Sequence, residues 1–203
     1  MNIEPLVVGL GGASASGKTT VTEALREALG RDALVLTHDR YYKDVADPAS
    51  FNYDEPEAFD TSLMVSHIER LCMRQPAHLP VYHFPTHARL PRTERVEPAR
   101  VLLVEGILVL SDPALRERMD VAVFVDTPLD ICLIRRIRRD VVSRGWNVSQ
   151  VLERYERDVR PGYHRYIQPC AEHADLVIKG TEPVPSLVAL LLREIRVRLT
   201  RSE

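Results

Sequence analysis

Eight residues near the N-terminus constrain this chain more than any others: Gly12-Ala13-Ser14-Ala15-Ser16-Gly17-Lys18-Thr19. The run has the spacing G-x-x-x-x-G-K-[ST]. It stands directly between an apolar stretch, Leu6 to Leu10, and an amphipathic one, Thr19 to Leu29. A strand–loop–helix unit of this kind curls backbone N–H groups around phosphate oxygens, its glycines supplying angles that other residues resist. Lys18 then reaches the β- and γ-phosphates of a nucleoside triphosphate, and the Thr19 hydroxyl offers itself to Mg²⁺. The helix that starts there adds the positive end of its dipole. Gly12 through Thr19, with Thr20 next in line, form the expected triphosphate-binding stretch. A chance lysine after a glycine-rich turn is the competing reading. Average composition yields such a match in about one chain in a hundred of this length, before its place between strand and helix is counted.

The rest of the chain supplies the frame that this loop needs. Ala33 to Thr37, Val101 to Val104, Val121 to Val125 and Leu176 to Ile178 are Val-, Leu- and Ile-rich without polar alternation, as strands buried on both faces of a parallel sheet are. Between them lie amphipathic helical patterns at Ser62 to Met73, Leu129 to Val142, Val148 to Val159 and Pro185 to Leu199. The alternation predicts a three-layer α/β fold with a mostly parallel central sheet. With 203 residues, one sizeable core is expected and two comfortable domains are not. Residues 1–203 are therefore read as one domain.

Two segments depart from the alternation. Asp39 to Asp60 is polar, aromatic and proline-bearing with no period, and Pro80 to Pro98 reads as a strand, a loop and a returning strand. Aperiodic stretches this long in a compact domain are usually functional. Residues 39–98 are accordingly read as the acceptor-binding region, with a small β-hairpin insertion. Residues 135–165 hold nine arginines against four carboxylates and read as a helical lid. Arg135 shares a helical face with Arg138 or Arg139.

The composition excludes several function classes. A net charge of −2 gives no global pull toward nucleic acid or an anionic membrane. No apolar stretch approaches the ~20 residues that span a bilayer, and the N-terminus lacks the basic-then-apolar plan of a signal peptide. Cys72, Cys132 and Cys170 are odd in number and scattered, which fits a reducing cytoplasm. The strings N-K-x-D and D-x-x-G of GTPases and L-S-G-G-Q of ABC ATPases do not occur.

Two carboxylates at strand ends point instead to phosphoryl transfer between small molecules. Val101 to Val104 ends in Glu105, placed as the second metal-shell group of a P-loop enzyme is. Ala33 to Thr37 ends in His38-Asp39, at the edge where α/β sheets bind ligands. A carboxylate there orients and deprotonates an acceptor hydroxyl. The planar, always charged guanidinium groups of the arginine-rich segment suit developing charge on the transferred group.

With these residues in place, the chain resembles the uridine/cytidine kinase family of P-loop kinases from about Val7 to Leu199. The resemblance rests on Gly11 to Thr19, His38-Asp39-Arg40-Tyr41-Tyr42, the string Phe51 to Asp60, Pro80-Val81-Tyr82-His83-Phe84 and Val104-Glu105-Gly106-Ile107-Leu108. Arg135-Arg136, Arg139-Asp140, Arg144-Gly145, Arg160-Pro161 and Ala174-Asp175 follow in order. It implies ATP, or GTP, as donor with Mg²⁺, and uridine or cytidine as the acceptor. Asp39 resembles the catalytic base for the ribose 5′-hydroxyl, working with Lys18. Asp54 and Arg139 resemble the residues that hold the ribose. Tyr82, Phe84 and His87 resemble the pyrimidine pocket, and Arg136 and Arg144 arginines near phosphates and substrate. Thr19 and Glu105 resemble the Mg²⁺ ligands. A homotetramer is the family's habit. His83, Trp146 and Arg154 depart from the family pattern, which leaves open the preference between pyrimidines and an acceptor of the pantothenate or ribulose 5-phosphate kind; a non-catalytic nucleotide-binding regulatory module is the alternative from another class, against which Lys18, Thr19, Asp39 and Glu105 stand together. The stretch Gly180-Thr181-Glu182 is the expected wall of the adenine pocket.

Overall fold

The structure, a computed structural model, describes residues 4–48 and 50–201, so the start of the N-terminal stretch read above lies outside the described residues. Five strands form one parallel sheet: β1 (Leu6–Gly12), β2 (Ala33–Thr37), then, after a hairpin, β5 (Val101–Glu105), β6 (Val121–Asp126) and β7 (Leu176–Lys179). Their spatial order is β2-β5-β1-β6-β7. All five apolar runs singled out in the sequence are these strands. The absence of polar alternation has a direct cause. Val7, Leu102, Val104 and Phe124 enter one hydrophobic cluster, while Leu6, Val8, Leu103 and Val123 enter another on the opposite face.

Helices cover both faces. α1 (Lys18–Leu29) buries Val21 and Leu25, and the last long helix buries Leu187, Leu191 and Ile195; both pack on the second cluster. On the other face α2 (Thr61–Cys72) buries Met64, Ile68 and Leu71, its first turn capped by the Asp60 carboxylate, which accepts from Leu63 N at 3.3 Å. The hairpin of β3 (Ala77–His83) and β4 (Ala88–Val96) packs on that side, with a register shift between Pro80 and Tyr82. A short helix, α3 (Pro113–Arg116), leads into β6.

After β6 come α4 (Leu129–Arg144) and α5 (Val148–Arg154). The periodicity predicted α-helix through Val159. Instead the backbone opens into π turns at Tyr155–Val159 and Tyr163–Ile167, flanking α6 (Arg160–Gly162). Pro161 has no N–H for the i−4 bond and its ring crowds the preceding turn, so the ladder widens around it. The chain ends its described path in α7 (Val184–Arg201).

Sheet register sets the location of the site. Leu10 pairs with Glu105, and Thr37 pairs with the same Glu105 across the other edge of β5. The C-terminal ends of β1, β5 and β2 therefore lie side by side. Chain connections leave β1 toward β2 on one side and later reach β6 on the other, so this is the switch point where open α/β sheets bind ligands.

Candidate active site

The loop after β1 has the backbone of a phosphate cradle. Gly12, Ala15 and Gly17 hold φ of +146°, +64° and +105°. Only glycine takes the first and third without cost, while Ala15 stores a modest strain of about 1–2 kcal/mol. Ser16 N donates to Ala13 O at 3.0 Å, closing the turn. Lys18 is buried and its Nζ donates to Ala13 O at 3.4 Å, a long bond that folds the lysine back over its own loop. Thr127 Oγ1 and Arg135 Nη1 both donate to Ser16 O, at 2.8 and 3.1 Å. Arg135 also donates to Gly180 O at 3.1 Å, so this arginine braces the cradle.

The Thr19 hydroxyl donates to Glu105 Oε2 at 3.3 Å. One hydroxyl and one buried carboxylate are hard oxygen donors at the mouth of a phosphate loop, the donor set that suits Mg²⁺ shared with substrate phosphates and water. Among the described residues no group of three His, Cys, Asp or Glu side chains is placed to hold a metal ion. Burial pushes the Glu105 carboxyl above the usual range, offset by the Lys18 cation and by hydrogen bonds from Thr19 and Thr37.

Beside this cradle a cavity of about 370 Å³ opens. Ser14, Lys18, Thr19 and Glu105 line its phosphate end. Asp39 and Asp54 line it next, with Arg136, Arg139 and Arg144 from α4. Tyr82, Phe84 and His87 line the far end. Every catalytic, acceptor and metal residue singled out beyond the phosphate loop thus lines one space, while Gly180, Thr181 and Glu182, the expected adenine-pocket wall, do not line it. Thr20 is exposed and does not line it, and neither do the side chains of Ala13, Ala15 and Ser16.

Local structure explains each placement. A 3₁₀ turn, His38–Tyr41, ends β2 and carries Asp39 past the sheet edge. His38 is buried and stacks on Phe59 with ring centroids 3.9 Å apart; burial lowers its pKa to about 3, so it packs as a neutral ring. Burial raises the Asp39 carboxyl above the usual range, against the pull of the Lys18, Arg144 and Arg139 cations. Asp54 is raised likewise by burial, with Arg136 opposing and Asp158 reinforcing. Gly162 lies against it: a Cβ there would stand 2.7 Å from Asp54 O. His87 sits at φ +50° between the hairpin strands, a left-handed conformation costing about 1–2 kcal/mol that turns its ring into the cavity. Arg89 clamps the hairpin to the Asp39 loop, donating to the carbonyls of Tyr42 and Tyr41 at 2.8 Å each and to Asp60 at 3.2 Å.

Tyr42, Tyr53, Pro85, Ile107 and Ser143 also line the cavity, unforeseen from the sequence. For Tyr42 and Tyr53 the signal was the aromatic richness of the aperiodic segment; Pro85, Ile107 and Ser143 carried none. Trp146 and Arg154, noted only as departures, form a stack: the Arg154 guanidinium lies 4.8 Å from the Trp146 ring and 5.9 Å from that of Tyr53. Arg154 also donates to Pro48 O at 3.1 Å, joining α5 to the loop. The buried Tyr53 and Tyr82 hydroxyls meet no hydrogen-bond partner of good geometry.

A parallel sheet between two helical layers, a phosphate cradle at its switch point and a side-chain-lined cavity with a carboxylate beside that cradle are the arrangement of a P-loop kinase. Residues 7–184 match the Phosphoribulokinase / Uridine kinase family. The chain is 42% identical over 205 residues to the uridine kinase of Chloroflexus aurantiacus, covering 98% of each. It is 40% identical to that of Ligilactobacillus salivarius, covering 98% of this chain and 97% of the other. In three dimensions it is similar to a putative fructose transport system kinase from Silicibacter, with a TM-score of 0.70 at 23% identity over 86% of this chain and 90% of that one. The chain belongs to the phosphoribulokinase/uridine kinase family. No helix of the described residues is long and apolar enough to cross a membrane.

Proposed function

We propose that this chain transfers the γ-phosphoryl group of ATP to the 5′-hydroxyl of uridine, and of cytidine, as a single P-loop kinase domain with an acceptor region at 39–98 and a lid at 135–165. One observation carries the reading: Asp39 lines the same cavity as Lys18 and Glu105 on one side and as the Tyr82–Phe84–His87 wall on the other. Gly12 to Thr20 take the triphosphate. Thr19 and Glu105 would hold Mg²⁺, which when bound would supply positive charge to the phosphate oxygens. Lys18 and Arg136 face the transferring group, and their fixed charge favours the transition state over the ground state. Asp39 accepts the 5′-hydroxyl proton as the oxygen attacks. Its raised pKa makes it a stronger base than an ordinary aspartate. Asp54 accepts hydrogen bonds from the ribose hydroxyls, Arg139 donates to them, and Arg144 covers the acceptor from α4. The aromatic wall stacks the pyrimidine, with the Tyr53 and Tyr82 hydroxyls beside its polar edge.

His87 stays neutral because burial and the nearby Arg154 and Arg144 cations lower its pKa. A neutral imidazole presents one donor and one acceptor nitrogen, so it suits uracil and cytosine alike. Steady-state ADP release over a panel of uridine, cytidine, pantothenate and ribulose 5-phosphate tests the assignment. Turnover with the two nucleosides alone is expected. Turnover confined to either of the other acceptors would reassign the chamber.

A further inference from the structure

Three of the cavity's arginines do not stand independently. Arg136, Asp140 and Arg144 are spaced four apart on α4 and so share one helical face, with Arg139 directly before Asp140. The Asp140 side chain is fully buried. Arg139 Nε donates to its Oδ1 at 2.8 Å, Arg144 Nε lies 3.4 Å from the same oxygen, and Arg136 Nε lies 3.4 Å from Oδ2. Arg136 in turn donates from Nη1 to Ser14 Oγ at 2.8 Å, in the phosphate loop. One carboxylate that does not itself line the cavity therefore touches three guanidinium groups that do.

The charge arithmetic explains why this matters. Three guanidinium groups near Lys18 repel one another, and in a part-buried site that repulsion is weakly screened. Asp140 draws them together, and the three arginines with this one carboxylate keep two net positive charges beside Lys18. Without it, Arg139 and Arg144, whose side chains are 38% and 32% exposed, gain by swinging to solvent. Arg136, at 9%, has no such exit. The same carboxylate thereby governs cations at both ends of the cavity.

We propose that Asp140 is a positioning residue: it holds Arg136, Arg139 and Arg144 as one fan aimed at the transferring phosphoryl group and the acceptor. The proposal rests on the kinase reading above. A merely structural role predicts the opposite split, with melting temperature moved and turnover per folded molecule kept.

Two variants and three readouts separate these. Asp140→Asn keeps the shape and removes the charge, while Asp140→Glu keeps the charge and displaces it by one methylene. The expected kcat with uridine falls about tenfold in the Glu variant and about a hundredfold in the Asn variant, the scale of a misplacement near 1 Å. The Glu variant should melt within a few degrees of the wild type. In the unliganded protein, the arginine Nε–H signals seen by ¹⁵N NMR should move toward solvent-exposed positions in both variants. A kcat per folded molecule within about threefold of wild type would overturn the proposal, and the Glu variant decides alone if the Asn variant does not fold. Wild-type inactivity on uridine would instead sink the kinase reading. The Nε–H signals then decide: unchanged positions in a folded variant overturn the fan.

Discussion

The two ends of the cavity are built by different means. The phosphate end is made of backbone, set by positive-φ residues at Gly12, Ala15 and Gly17 and braced by Thr127 and Arg135 on Ser16 O. The acceptor end is made of side chains brought from the 39–60 loop, the hairpin and α4 to α6. Backbone cradles bind what all triphosphates share. Side-chain chambers bind what distinguishes one acceptor from another, and they vary without disturbing the cradle. Asp39 lines the cavity between them, where the proposed transfer joins the two ends.

Breaking the junction should have the largest effect. Asp39→Asn is expected to lower kcat about 10³-fold, within the range for loss of a general base, while MgATP binding by calorimetry stays within about twofold. The same carboxylate gives the pH dependence. The ionised form is the active one, so log kcat/KM should rise with pH, with its midpoint above the ordinary aspartate range because burial raises the Asp39 pKa. That acidic limb should vanish in the Asn variant. Next in size, Glu105→Gln should lower kcat about 10²-fold and raise the Mg²⁺ needed for half-maximal rate, because the variant lacks the carboxylate proposed to hold the ion. Uridine binding should be untouched.

The acceptor end should break separately. Gly162→Ala drives a methyl group against the Asp54 carbonyl, so KM for uridine should rise about tenfold with KM for ATP unchanged, the cost of a shifted ribose carboxylate. Arg154→Ala removes the stack between Trp146 and Tyr53. Such contacts are worth about 0.5–1 kcal/mol when exposed, so the uridine KM should rise about two- to fivefold. If either variant weakened ATP binding as much as uridine binding, the two ends would not be separable.

The same division decides what could be read from sequence. The cradle, Lys18, Thr19, Asp39 and Glu105 lie within a few residues of a strand end, so spacing and burial pattern place them. The five sheet strands were legible for the same reason, since a strand buried on both faces has no polar alternation to mislead. Tyr42, Tyr53 and Ile107 depend on how a loop and a hairpin fold back on the sheet, and no local period encodes that. The π turns around Pro161, and with them the approach of Gly162 to Asp54, required knowing that the helix would give way rather than stop. Asp140 read as one of four carboxylates among nine arginines, and as part of the Arg139-Asp140 pair that carries the resemblance. Its role appears only when three of them converge on it.

The most direct test of a two-ended site is the fate of the phosphoryl group itself. ³¹P NMR of the purified protein with MgATP and uridine should show one UMP, phosphorylated at the 5′-oxygen, for each ADP formed. ADP with inorganic phosphate and no nucleotide product would contradict the account, because the cavity would then be delivering phosphate to water rather than to a nucleoside.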